Sequence, residues 1–223
     1  MNQICHFIYI KCNYTDIVRL KERLEIFENY CLPSLLNQTN KNFHICMNVN
    51  MKPEFYTLVK KYKEKYDIIL KNIEYYDIKY LKDNTKKYFI TTRVDSDDSL
   101  NILYIDCVQK YTIINTRVIN YYKTVILNYS MGIQLNKNSL EINRRIYNIP
   151  SPFLSVISLY SFHCREMTHN TIHDKFHFIN LYNKIPMWVQ LIHDNNILNQ
   201  FNGISSGYYN INLNKLFCLK FDK

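Results

Sequence analysis

Glycine is almost missing from this chain: three occur in 223 residues, at 132, 203 and 207. Neither a G-x-G-x-x-G dinucleotide fingerprint nor a Walker P-loop can be assembled from them, so a nucleotide cradled by a glycine-rich loop is excluded. The seven cysteines (5, 12, 31, 46, 107, 164 and 218) form no C-x-x-C pair, and most lie inside apolar runs. An odd, scattered set of this kind reads as reduced, buried thiols in a cytoplasmic setting, not as a disulfide frame. No apolar stretch approaches the roughly 20 residues that a membrane-spanning helix needs. The short run Cys5 to Ile10 is followed by Lys11 and a polar segment, so no signal peptide is expected either.

What is abundant is apolar and cationic. Hydrophobic residues make up 47% and aromatics 15%, which excludes a disordered chain. Lys and Arg outnumber Asp and Glu by 28 to 19, a formal charge of +9. That balance suits an anionic partner: nucleic acid, an acidic membrane or a phosphorylated small molecule. The basic residues are scattered, with short clusters only at Lys60-Lys61, Lys86-Lys87 and Arg144-Arg145, which speaks against a dedicated nucleic-acid face.

Strand and helix patterns alternate through the first half. Ile4 to Ile10 and Phe43 to Val49 read as strands, and Asp16 to Tyr30 as an amphipathic helix that Pro33 kinks or restarts. Pro53 opens a helix through Tyr66, Asp67 to Leu70 is a short strand, and 71–86 is a polar connection. A strand over 87–98 and a helix from about Ser99 to Tyr111 follow. The second half reads as β-type runs at Val118 to Tyr122, Val125 to Ser130, Ile133 to Leu135 and Leu140 to Tyr147, with Met131-Gly132 as a hairpin turn. Pro150-Ser151-Pro152 breaks the chain before Phe153 to Tyr160. His169 to Leu181 is expected to be helical and Trp188 to His193 a strand, with Asp194 to Lys223 a mobile loop and packed tail. The pattern predicts an α/β fold with a mixed, mostly parallel sheet flanked by helices and a smaller β-hairpin region in the second half. One domain over 1–223 is expected, 1–115 forming a nucleotide-binding half and 116–223 an acceptor-side half and tail.

The chemistry concentrates where Tyr88-Phe89-Ile90 runs into Thr91-Thr92-Arg93-Val94-Asp95-Ser96-Asp97-Asp98. Three carboxylates within four residues repel one another unless a cation lies between them, and a divalent ion completed by substrate phosphates is the usual solution. Asp-Ser-Asp-Asp would equally cap a following helix. The position at the carboxyl end of a central strand favours the site, because ligands of such sheets bind there. Trp188-Val189-Gln190-Leu191-Ile192-His193 repeats the arrangement, a buried strand delivering an imidazole at its end. Carboxylates plus one neutral His would hold Mn²⁺ or Mg²⁺ on a diphosphate, while the alternative is that His193 caps a turn with Asp194-Asn195-Asn196. His169, His173 and His177, four apart, would line one face of a helix and read as a histidine stripe without the carboxylates of a metal site.

Taken together, these pieces resemble a known family. Arg23-Leu24, Phe27-Glu28, Cys31-Leu32-Pro33-Ser34-Leu35 and Gln38-Thr39 are similar to the N-terminal signature of the rhamnosyltransferase-like family of GT-A glycosyltransferases. Thr92 to Asp98 resembles that family's Arg-hydrophobic-Asp-x-Asp-Asp element. Pro152-Phe153-Leu154 and Trp188-x-Gln190-x-Ile192-His193-x-Asn195 follow in the family's order. The resemblance spans about residues 4 to 196 and implies a GT-A-like (Rossmann-like) fold. It further implies a divalent metal ion, Mn²⁺ or Mg²⁺, gripping the diphosphate of a UDP-, dTDP- or GDP-sugar, and transfer of a sugar such as rhamnose to a glycan or other acceptor. By the same carry-over Asp97 and His193 are metal ligands. Asp95 faces the metal or the ribose, and Asp98 is the candidate catalytic carboxylate near the donor sugar. Arg93, Asp95, Lys11, Asn13, Trp188 and Gln190 bind the donor. Lys11 stands where the family is expected to carry Arg, and Ser96 where it is expected to carry Asn. The catalytic base stays open among Asp98, Glu166 and Asp194, and a retaining enzyme needs none. Two other functions use the same features differently: a nucleotidyltransferase or phosphodiesterase built on these carboxylates, and a basic nucleic-acid-binding module.

Overall fold

The computed structural model describes residues 3–71, 86–147, 151–159, 172–194 and 212–219. Seven strands form the main sheet. They are β1 (Ile4–Cys12), β2 (His44–Val49), β3 (Ile69–Lys71), β4 (Tyr88–Asp95), β6 (Thr124–Tyr129), β9 (Ser155–Ser158) and β10 (His177–Leu181). Their order is β10-β6-β9-β4-β1-β2-β3. Every neighbouring pair is parallel except those of β9, which runs against both β4 and β6. A second sheet of four strands, in the order β5-β11-β7-β8, is built from β5 (Ser99–Leu100), β7 (Met131–Asn136), β8 (Ile142–Ile146) and β11 (Trp188–Ile192). The antiparallel β7–β8 pair is the small hairpin of the second half.

The central strands are apolar on both faces because both are covered. Ile8, Ile10 and Cys12 of β1 pack with the helical layer, whereas Cys5, Phe7 and Tyr9 join Phe89, Val156 and Ile172 on the other side. The helices are α1 (Ile17–Ile26), α2 (Leu32–Leu36), α3 (Pro53–Tyr66), α4 (Tyr104–Ile114), α5 (Thr116–Tyr122) and α6 (Leu213–Phe217). Asp16 caps α1, its carboxylate accepting from the Val18 and Arg19 N–H groups. Between α1 and α2 the chain widens into a π-helical turn, Phe27–Cys31, and Pro33 sits in the first turn of α2. Pro53 opens α3 as expected, and Asp67 ends it in the left-handed region with φ 53°.

Four expectations fail for local reasons. The helix expected from Ser99 begins only at Tyr104, because Ser99 and Leu100 pair as β5 with Val189 and Trp188. The Asn101 side chain then accepts from the Leu103 N–H, which sets the later start. Val118 to Tyr122 is not a strand but lies in α5, whose one buried residue is Ile119, so the β-branched composition misled. Met131-Gly132 is no hairpin turn. β6 passes through Ser130 into the other sheet, and Gly132 is required by space: a Cβ there would lie 2.1 Å from the Trp188 ring. Finally, the stretch His177–Leu181, expected to be helical, pairs in parallel with β6, Asn180 opposite Asn128, and their side chains meet at 2.7 Å. The proposed histidine stripe falls with it, since His177 is on a strand and stacks on Tyr122 at 3.7 Å; His169 lies outside the described residues.

Candidate active site

The chain crosses from the main sheet to the small one between Asp95 and Ser99, so the acidic turn bridges the two sheets. β5 follows at once and pairs antiparallel with β11, Val189 opposite Ser99 and Trp188 opposite Leu100. That register brings 190–193 back alongside 96–98. Asp98 reinforces it, its Oδ1 accepting the Leu191 N–H at 3.0 Å. The result is that Asp97 Oδ2 and His193 Nε2, 96 residues apart in sequence, lie 3.1 Å from each other. Both residues are 8% exposed.

A third group meets them. Arg23, in the last turn of α1 and 6% exposed, ion-pairs with Asp97 Oδ2 through Nη1, and the same Nη1 lies 2.9 Å from His193 Nε2. A single Nε2 cannot both accept from Arg23 and donate to Asp97, so the imidazole tautomer decides which contact is a hydrogen bond. Burial is the largest influence on the Asp97 carboxyl and pushes its pKa up. The His193 contact and the Arg23 charge outweigh burial and hold the group below the ordinary carboxylate range. The π-helical turn next to Arg23 is clipped to β5, with Ser99 Oγ donating to the Tyr30 carbonyl at 2.9 Å. Ser34 accepts the Leu100 N–H at 3.2 Å and Gln38 donates to the Asn101 carbonyl at 2.8 Å. Ser34 and Gln38 thus fix α2 against the strand that follows the acidic turn.

The other expected residues divide. Lys11 and Asn13 are exposed at the end of β1, where Lys11 is the sheet neighbour of Asp95. Arg93 reaches Asp95 at 3.3 Å, and the Asp95 side chain is 33% exposed. These four line the open carboxyl edge. Asp95 does not join Asp97 and His193 as a third ligand: among the described residues no group of three or more His, Cys, Asp or Glu side chains is placed to hold one ion. Asp98 is 3% exposed and tied to the backbone of β11. Burial and the neighbouring Asp97 and Asp95 charges raise its carboxyl well above the ordinary range, and its hydrogen bond to β11 makes it a strut of the turn. Trp188 and Gln190, expected at the donor, are core instead. Trp188 stacks on Phe153 at 4.6 Å, covers Gly132 and donates its indole N–H to the Tyr129 carbonyl at 2.8 Å. Gln190 accepts from Gln134 at 2.8 Å. Glu166 and Asn195 lie outside the described residues, and Asp194 accepts from Asn138 at 3.1 Å.

Two residues at the site were given no role from the sequence, although Arg23 stands in the family-like N-terminal signature. Arg23 has a visible signal: it stands three residues after Leu20 and four before Phe27, on the buried stripe of an amphipathic helix where a charge is out of place. Tyr14, in the loop after β1, brings its hydroxyl to 3.5 Å from Ser96 Oγ and had no distinguishing signal among twenty tyrosines.

Whether this donor set suits a divalent ion is a matter of chemistry and spacing. One carboxylate oxygen and one imidazole nitrogen are acceptable ligands for Mn²⁺ or Mg²⁺, the remaining positions falling to phosphate oxygens and water. Two adjacent ligands about 2.1 Å from an octahedral ion stand roughly 3.0 Å apart, and the observed pair is at 3.1 Å. The pair therefore fits, with the Arg23 guanidinium facing the same two atoms.

A family model described as "Putative rhamnosyl transferase" matches residues 10–203. Among solved structures, a crystal structure of S. aureus TarS superposes with a TM-score of 0.51 at 10% identity, over 84% of this chain and 37% of that one. A second, of S. aureus TarS 1–349, gives a TM-score of 0.43 at 11% identity over 84% and 60%. This chain thus spans less than two thirds of either. At such identity the first match speaks for the fold alone, which is GT-A-like, as the resemblance in sequence implies. No match is found among curated proteins.

Proposed function

The chain belongs to the rhamnosyl transferase family, a family of glycosyltransferases, and on that premise we propose that it transfers a sugar, rhamnose among the candidates, from a nucleotide-sugar donor to a glycan or other acceptor in a cytoplasmic setting. The donor is a UDP-, dTDP- or GDP-sugar, and the Asp97–His193 pair would hold Mn²⁺ or Mg²⁺ against its diphosphate. The observation that carries this reading is the 3.1 Å approach of Asp97 Oδ2 to His193 Nε2 at the carboxyl edge of a parallel sheet.

In such a transfer the bond between the anomeric carbon and the diphosphate oxygen breaks, the nucleoside diphosphate leaves with the electron pair, and an acceptor hydroxyl bonds to the carbon and loses its proton. A bound divalent ion would supply charge neutralisation for the leaving diphosphate. Lys11 and Arg93 add cationic side chains at the same edge, and the half-exposed Asp95 offers a carboxylate to a ribose hydroxyl. The reading is tested by thermal melting with UDP, dTDP and GDP, each with and without Mn²⁺. One nucleotide with Mn²⁺ should raise Tm by about 5 °C at a hundredfold excess over Kd, and Asp97→Asn should remove the shift. No shift with any of the three would overturn it.

A further inference from the structure

We propose that Arg23 couples the two ligands of this site: its guanidinium holds the Asp97–His193 pair until a nucleoside diphosphate draws it away, which leaves the oxygen–nitrogen pair to a divalent cation. The proposal rests on the function argued above and concerns the order and cooperativity of binding.

The geometry that carries it is a three-way contact. Arg23 Nη1 ion-pairs with the same Asp97 oxygen, and lies 2.9 Å from the same His193 nitrogen, that a cation would need. Guanidinium and metal ion want the same lone pairs, and both are positive, so they cannot hold the pair together. The Asp97 and Arg23 side chains are only 12% and 7% exposed, too buried for water to keep the carboxylate charged in place of a partner. A cation must stand beside Asp97 for its carboxyl to stay ionised, and in the resting protein that cation is Arg23.

Release of the guanidinium then needs an alternative anion within reach. Arginine's planar fork matches phosphate oxygens in two parallel hydrogen bonds, a pairing that a single carboxylate oxygen does not offer. A diphosphate arriving at the carboxyl edge supplies such oxygens beside Lys11 and Arg93. Arg23 can swing away by its own side-chain torsions while its turn stays clipped to β5. It precedes the π-helical segment Phe27–Cys31, a helix irregularity that recurs at functional sites, and the Phe27 N–H bonds back to the Arg23 carbonyl.

The test is a Mn²⁺ titration followed by electron paramagnetic resonance of the free ion, without nucleotide and with saturating UDP, dTDP or GDP. In the wild-type protein the productive nucleotide should tighten Mn²⁺ binding at least tenfold. Arg23→Met should bind Mn²⁺ alone at least tenfold more tightly than wild type, and the nucleotide should then change its affinity less than threefold. Arg23→Met binding Mn²⁺ alone no more tightly than wild type would overturn the proposal. Arg23→Lys covers the case in which the methionine variant does not fold. Its ammonium still pairs with Asp97 but lacks the fork, so Mn²⁺ affinity alone should stay within threefold of wild type while the coupling falls at least fivefold. Full coupling in Arg23→Lys would likewise overturn it. Failure of wild type to bind any of the three nucleotides with Mn²⁺ overturns the proposed function as well. Wild-type binding with unchanged coupling in the variants overturns the Arg23 proposal alone.

Discussion

Two buried histidines sit on neighbouring parts of this molecule in opposite company. His6, in the middle of β1, is 1% exposed and surrounded by neutral groups. Gln109 donates to its Nδ1 at 3.4 Å, its Nε2 lies 2.9 Å from Thr92 Oγ1, and Thr92 passes the chain to Ser155 at 2.6 Å. His193, at the end of β11, meets a carboxylate and a guanidinium. The first arrangement satisfies every partner without a net charge, and burying it costs little beyond the hydrogen bonds it replaces. The second holds two opposite charges out of water, which a core of matched apolar residues would replace at no loss of stability. A neutral network of this kind sets strand register, whereas a charged triad at a sheet edge marks chemistry.

The largest expected effect follows from removing the negative member of the charged cluster. Asp97→Ala takes the carboxylate away from the buried Arg23 cation, and breaking a buried pair from one side costs about 3–5 kcal/mol. Urea unfolding at neutral pH should show that loss. A change below about 1 kcal/mol would mean that the cluster is open to water and that the contrast with His6 is false.

The two regions were not equally legible in the sequence. The strands beside them were: ICHFIYI and the run YFI are mainly apolar, as strands covered on both sides must be. The acidic turn and His193 were legible as a pair of strand ends, because each follows a buried run at the edge where ligands of such sheets bind. Arg23 was not, since arginine on a helix is ordinarily solvated and only its place on the buried stripe sets it apart. Trp188 and Gln190 misled for the opposite reason. Their strand, WVQLI, is buried at every position, so even its polar residue faces a partner, Gln134, and not a ligand. The β-branched run in α5 and the strand at His177–Leu181 were decided by what packs against them, which composition does not contain.

A smaller effect is expected at His6. Burial lowers its pKa from 6.5 to about 3, so the unfolded chain takes up a proton near pH 6.5 that the folded protein refuses. The stabilisation is therefore complete above pH 6.5 and is lost as pH falls toward 3. Between pH 7.5 and pH 5 the loss amounts to about 2 kcal/mol. His6→Gln, which retains a donor for Thr92 and an acceptor for Gln109, should flatten that part of the profile. The measurement is urea stability of both proteins at pH 5.0, 6.0 and 7.5. Equal slopes would show that His6 is protonated in the folded state and that its surroundings are not as neutral as they look.

The smallest effect should come from Asp98→Asn, at a residue next to Asp97 and opposite to it in character. Its Oδ1 accepts the Leu191 N–H, and its carboxyl is raised well above the ordinary range by burial and by the adjacent Asp97 and Asp95 charges. Asp98→Asn keeps the acceptor and removes any buried charge, so stability should change by less than about 1 kcal/mol. Asp98→Ala removes the acceptor and leaves a buried N–H unsatisfied, at about 1–3 kcal/mol. If Asp98 only holds β11 in register, the asparagine variant keeps the Mn²⁺-dependent nucleotide shift and most of the sugar transfer, whereas the alanine variant loses stability first. A stable Asp98→Asn protein that binds nucleotide normally but transfers no sugar would reverse the assignment. The carboxyl would then belong to the reaction, and the charged region would extend one residue further along the turn.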